Sequence, residues 1–155
     1  MTDGLVIRPD DPTAPHVVDL LAFHLAEMRG AADPAFAFAL DAGGLSSSAV
    51  TFWTAWQGET LAGFAALRQL ALDHGEVKSM RAAPGARRTG IGRALLRHVI
   101  AEAHVRHYRR LSLATGTGPV FAPAAALYRS AGFVDCPPFA DYQPSPHNRF
   151  MTLQL

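Results

Sequence analysis

Apolar residues recur along this chain in two rhythms, one of helices and one of strands. Leu5 to Arg8 reads as a short first strand, stopped by Pro9 and Pro12. From Thr13, a plausible cap, the spacing turns helical: Val17, Leu20, Leu21, His24, Leu25 and Met28 fall on one side. Residues 31 to 48 hold Pro34, Gly43, Gly44 and a serine triplet, the composition of a surface loop with at most one helical turn. Three strand-like segments follow. Val50 to Trp56 is β-branched and aromatic, Thr60 to Leu72 is apolar, and Glu76 to Ala82 is the third, with turn signals at Gln57-Gly58-Glu59 and Asp73-His74-Gly75. Pro84-Gly85 ends that run.

Gly90 to Tyr108 carries the clearest helical stripe, Ile91, Leu95, Val99 and Ala103. Leu111 to Ala114 reads as a strand, and Ala122 to Ala131 as a helix with Gly132 as its stop. After Pro137, Pro138, Pro144 and Pro146, the segment from Arg149 to Leu155 alternates as a final strand. The order β-α-β-β-β-α-β-α-β predicts an α/β domain built on one sheet, spanning residues 1 to 155.

Composition narrows the class. The 155 residues are 49% hydrophobic and 17% charged, which suits a globule rather than a disordered chain. A net charge of +1 provides no field for nucleic acid or anionic membrane, so an anionic ligand needs a local arginine cluster. The single cysteine, Cys136, allows neither an intramolecular disulfide nor a cysteine metal cage. Met1 to Leu5 lacks the basic and apolar regions of a signal peptide, and no apolar stretch exceeds about 12 residues. The expectation is a cytoplasmic protein with no membrane partner.

The candidate chemistry lies in Arg87-Arg88-Thr89-Gly90-Ile91-Gly92-Arg93-Ala94. Glycines allow close backbone approach, and the loop runs into a helix N-terminus, where free N–H groups and a partial positive charge favour phosphate. A Walker loop fails because Ile91-Gly92, not Lys-Ser/Thr, follow the second glycine. A dinucleotide fingerprint fails because Leu95 stands where its third Gly or Ala belongs.

The stretch instead resembles the loop signature of the GNAT superfamily of N-acetyltransferases, Arg/Gln-x-x-Gly-x-Gly/Ala, at Arg87, Gly90 and Gly92. Glu76 to Ala82 before it and Leu127-Tyr128-Arg129-Ser130-Ala131-Gly132-Phe133 after it fit the same family in order. Pro137 to Tyr142 and Phe150-Met151 look like one bacterial subgroup. The resemblance implies a mixed, mostly antiparallel sheet with a splayed parallel pair in the middle and helices on both faces. It also implies acetyl-CoA (coenzyme A) as cosubstrate, with no metal. Met80, Arg81 and Ala82 would pair with the pantetheine arm, and residues Arg87, Arg88, Thr89, Gly90, Ile91, Gly92, Arg93 and Ala94 would cradle the pyrophosphate. Thr115 would touch the far side. Tyr128 would protonate the leaving thiolate and contact the cofactor, and Glu76, fourteen residues before Gly90, would be the general base. Four positions depart from the pattern: Phe121 replaces a frequent Asn, Ala114 a frequent Glu, and Arg88 and Thr89 the more usual Gly and basic residue, which moves a positive charge by one position.

Plainer readings stand beside these. Tyr128 also suits a core aromatic, and Glu76 also suits a strand glutamate paired with Lys78 on its own face. His104 and His107, with His98 on the same helix, fit a solvated face better than a metal site. His24, Ser79 and Tyr142 are candidates for the acceptor side, the last if the loop from Pro137 to Asn148 folds back as a lid. Trp53 and Trp56, three apart, should face opposite sides of a strand, with at least one in the core.

The expected activity is acetyl transfer to a primary amine of a small molecule in a ternary complex, by a monomer or homodimer. Protein lysine or N-terminal acetylation, another acyl group, and a non-catalytic acyl-CoA-binding module are the alternatives.

Overall fold

A computed structural model describes residues 4–31, 42–86 and 90–155. Seven strands form one sheet in the order β1-β2-β3-β4-β5-β7-β6. They are β1 (Leu5–Pro9), β2 (Val50–Gln57), β3 (Thr60–Ala71), β4 (His74–Ala82), β5 (Arg110–Gly116), β6 (Val134–Asp135) and β7 (Asn148–Gln154). The helices are α1 (Pro15–Ala31), a single turn α2 (Ala42–Leu45), α3 (Ile91–Val105) and α4 (Ala122–Ser130). Every neighbouring strand pair is antiparallel except β4 and β5. The expected mixed sheet with a central parallel pair is therefore the observed one. The short β6 is an addition to the sequence reading, since two residues leave no periodicity to detect.

Period-2 alternation sorts the apolar side chains onto two faces. Trp53, Ala65, Leu67, Val77, Leu111, Leu113 and Met151 meet the stripe Ile91, Leu95, Val99 and Ala103 of α3. Phe52, Phe64 and Ala66 meet Val17 and Leu21 of α1 and Leu45 of α2. Trp56 lies on the α1 side, with its indole Nε1 donating to Thr54 Oγ1 at 2.8 Å and the Arg8 guanidinium 4.6 Å from its ring. The two tryptophans thus face opposite ways.

Local chemistry adjusts several boundaries. Asp11 Oδ1 accepts from the Thr13 backbone N–H and hydroxyl at 2.8 and 2.7 Å, and α1 begins at Pro15. Thr13 is thus held by Asp11 ahead of the helix. Gly132 ends the α4 turn at φ 103°, a left-handed value that favours glycine. Tyr108 lies beyond α3, packed on β4: a Cβ at Gly75 would come within 2.6 Å of its ring.

Candidate active site

The two central strands part. Parallel pairing covers only His74↔Arg110, Gly75↔Leu111 and Glu76↔Ser112. Beyond that point β4 pairs only with β3, through Ala82, and β5 only with β7, through Gly116. The wedge between them offers unpaired backbone groups on facing edges, which need partners if they are to be shielded from water. Met80 and Ala82, on the β4 edge, turn their side chains to the α3 face. Arg81 turns its own to the α1 face.

The N-terminus of α3 adds a second set of donors. Gly90 has φ 88°, a conformation that strains any other residue; no side chain caps the helix and its first turn holds no acid. Ile91 is core, so only its backbone can face a ligand, whereas Arg93 is exposed and Ala94 half-buried. A Cβ at Gly92 would lie 3.4 Å from Leu127 Cδ2. Arg87, Arg88 and Thr89 lie outside the described residues. Thr115, opposite Arg149 on β7, sits half-buried on the β5 edge. Phe121, the departure from the family's Asn, lays its ring on Gly116, where a Cβ would come within 2.2 Å.

At the vertex of the wedge stands Glu76, 1% exposed. Tyr142 donates its hydroxyl to Glu76 Oε2 at 2.6 Å, and Lys78 Nζ donates to the Tyr142 oxygen at 2.6 Å while lying 3.7 Å from Glu76 Oε2. The proline-rich loop does fold back, pinned by Phe139 and Phe150 against the Tyr142 ring. Burial, and then the negative charge of Glu76, raise the Tyr142 phenol above its usual range. Burial also lowers the Lys78 ammonium, against the opposing pull of Glu76. Glu76 Oε1 is buried without a hydrogen-bond partner. The pairing of Glu76 with Lys78 foreseen as the plainer reading exists, and it leaves one carboxylate oxygen for other work.

A bulge in β4 decides what joins Glu76. The register runs Arg68↔Glu76, Leu67↔Val77, then Ala66↔Ser79 and Phe64↔Arg81, so Lys78 has no partner. Glu76, Ser79 and Arg81 therefore share the α1 face, although strict alternation from Glu76 would send the other two to the opposite side. His24 on α1 packs its ring 5.4 Å from Phe64, the neighbour of Arg81 on β3. Burial lowers the His24 imidazole to about 4, partly opposed by Glu27. The three acceptor-side candidates thus line one face, Ser79 and His24 under α1 and Tyr142 from the loop. Sequence reading missed the side chain of Arg81, because only its backbone had been assigned.

Tyr128 is buried in the apolar cluster of the α3 face, its ring 5.8 Å from that of Phe133. Burial pushes its phenol up to about 12, which keeps the proton on the oxygen at neutral pH. Elsewhere, His104 and His107 are exposed, and His98 stacks edge-on against Trp53 at 5.0 Å. Among the described residues no three His, Cys, Asp or Glu side chains gather as metal ligands, and no helix is long and apolar enough to cross a membrane.

A parted parallel pair beside an uncapped, glycine-led helix is a shape shared with known proteins. The acetyltransferase (GNAT) family model matches residues 18–133. The chain belongs to the GNAT acetyltransferase family. It is 46% identical over 149 residues to the uncharacterized N-acetyltransferase YedL of Escherichia coli (strain K12), covering 96% of this chain and 94% of that one. A Klebsiella pneumoniae structure assigned as an acyl-CoA N-acyltransferase superposes with a TM-score of 0.77 at 28% identity, covering 97% of each chain. A GNAT family acetyltransferase from Elizabethkingia anophelis with acetyl-CoA bound shares the fold, with a TM-score of 0.70 at 20% identity over 99% of each chain. Membership makes this chain an N-acetyltransferase by class.

Proposed function

We propose that this protein transfers an acetyl group from acetyl-CoA to a primary amine of a small molecule by direct attack in a ternary complex. The observation that carries the reading is the wedge itself: three parallel pairs, then two unpaired strand edges, with Glu76 at the vertex and the uncapped end of α3 beside it. The residues present fit the donor. The β4 edge from Met80 to Ala82 has backbone groups for an amide-bearing arm, and Gly90, Gly92 and the neighbouring amides suit a pyrophosphate. Bound there, acetyl-CoA supplies a thioester whose carbonyl carbon is open to an amine.

The chain's own groups divide the remaining work. A backbone N–H near Met80 would polarise the carbonyl oxygen. An alkylammonium with pKa of about 10.4 has no lone pair, so Glu76 takes its proton, directly or through water. Tyr142 and Lys78 hold that carboxylate in place through the contacts described above. Tyr128, protonated at neutral pH like any phenol, would donate to the departing sulfur, as a weaker acid for its burial. Arg93, exposed in the first turn of α3, would add positive charge beside the pyrophosphate.

A thermal-shift titration with acetyl-CoA, coenzyme A and ATP tests the reading. At about 100 times its dissociation constant a ligand stabilises the fold by roughly 2.7 kcal/mol, a rise of several degrees. Both coenzyme species should shift the melting temperature well beyond ATP, and Gly92→Ala should retain much of that shift. Gly92→Asp should lose it, because its carboxylate would face the pyrophosphate. No shift with either coenzyme sinks the proposal.

A further inference from the structure

Arg81 is an unusual arginine. Its side chain is 8% exposed, under α1, with Nη1 donating to Glu27 Oε1 at 2.7 Å and its Cζ lying 5.0 Å from the Phe23 ring centre. Nε and Nη2 are buried and have no hydrogen-bond partner. These two nitrogens form one edge of the guanidinium, the edge that meets a carboxylate through two parallel hydrogen bonds. Glu27 occupies only the opposite corner. Burying a fork of donors without acceptors costs free energy, so such an edge marks the position of a missing acceptor.

Two other orphaned polar atoms share the face. Ser79 Oγ and His24 Nδ1 are buried without partners, in residues 7% and 5% exposed. Ser79 is two residues from Arg81 on the same face of β4, and His24 sits one helical turn before Glu27. Glu76 and Lys78 balance each other in charge at one end of this strip, and Glu27 and Arg81 at the other. The strip thus presents a proton acceptor at the Glu76 end and a carboxylate-shaped fork at the Arg81 end.

We propose that the acceptor is a small amino carboxylate, its carboxylate held by the Nε/Nη2 edge of Arg81 with help from Ser79 Oγ, while its amine faces Glu76. This rests on the transferase reading and specifies its substrate class. Arg81 then serves twice, with its backbone along the donor arm and its side chain on the acceptor. A lysine would not substitute, because an ammonium lacks the planar fork.

The test compares free amino acids, α and ω, with their matching carboxamides in the intact protein saturated with coenzyme A. Calorimetry reads binding of each N-acetylated product pair, and thiol release from acetyl-CoA reads turnover of each amine pair. Carboxylates should bind and react roughly 100-fold better than amides, because the amides leave the arginine fork mismatched. Arg81→Met should shrink that ratio to within a few-fold of one, mainly through KM, and Arg81→Lys, which keeps the charge without the fork, should shrink it in part. Should Arg81→Met fail to fold, the wild-type ratio and the Arg81→Lys variant still decide. Equal use of amides, a preference undiminished in Arg81→Lys, or a coenzyme A thermal shift with no carboxylate in the panel bound would each overturn the proposal and leave the transferase reading intact. Absence of any coenzyme A shift would instead strike the transferase reading itself.

Discussion

The two faces of this sheet are built to opposite rules. On the α3 face Leu95, Leu96, Val99, Leu111, Leu113 and Met151 are closed from water among other apolar groups, with the Tyr108 hydroxyl and His98 Nε2 as isolated unpartnered atoms at its margin. On the α1 face a smaller cluster around Phe52 and Phe64 gives way to Glu76, Ser79 and Arg81 along β4 and His24 on α1, all buried and all with at least one unpartnered polar atom. A face optimised for stability alone would not bury such groups, since each costs free energy when its hydrogen bonds are unmade. The apolar face is closely packed, and the polar face holds its groups desolvated, ready for the ligand proposed above. The contrast teaches where to look for chemistry: at the buried atoms that packing fails to satisfy.

The sharpest break in that comparison is Glu76→Gln. Turnover at neutral pH should fall by about 10²- to 10⁴-fold if the carboxylate is the base. Because Lys78 then loses its counter-charge, stability falls as well. Adding Lys78→Met separates the roles: stability should return while turnover does not. Recovery of turnover in the double variant would reduce Glu76 to a structural partner.

Next in size is a pair of truncations, one on each face. Leu95→Ala should cost about 2–5 kcal/mol, as a cavity in a closely packed layer does. Ser79→Ala should cost less than about 1 kcal/mol or even stabilise, because it removes a hydroxyl with no partner. Denaturant midpoints read both, and equal losses would erase the distinction between the faces.

Acid should act through the polar face. His24 titrates at about 4 in the fold against 6.5 unfolded, so between those values the unfolded chain binds a proton that the native one does not. Stability therefore falls as pH drops from about 6.5 towards 4, by about 3 kcal/mol from this residue. Melting temperatures across that range should flatten in His24→Gln. An unchanged acid limb would assign the loss to other groups.

Tyr128→Phe should have the smallest effect. A thiol of pKa about 8.5 leaves tolerably well as its anion, so losing the donor should slow turnover only about tenfold, with coenzyme A affinity retained. Unchanged turnover would return Tyr128 to the apolar face as packing alone.

Much of this was legible in the residues. The stripe Ile91, Leu95, Val99 and Ala103 predicted α3 and its buried side, since a long periodic helix carries its own signal. Gly90 and Gly92 pointed to a ligand loop because few other roles need two glycines at a helix start. Boundaries drifted by a residue or two where caps decided them, as at Asp11 and Pro15. The site was harder to read. Glu76 and Tyr142 are 66 positions apart in the chain and 2.6 Å apart in space, a contact no local pattern encodes.

Sequence alone determined the elements, their order and the family resemblance, because periodicity, glycines and caps act over a few neighbouring residues. Tertiary structure alone decided which polar groups meet. The extra residue at Lys78 is silent in an alternating pattern, yet pairing with β3 turns it into a bulge that brings Ser79 and Arg81 round to the face of Glu76. Register is a property of two strands together, and so which polar groups share the α1 face could be read only from the paired sheet.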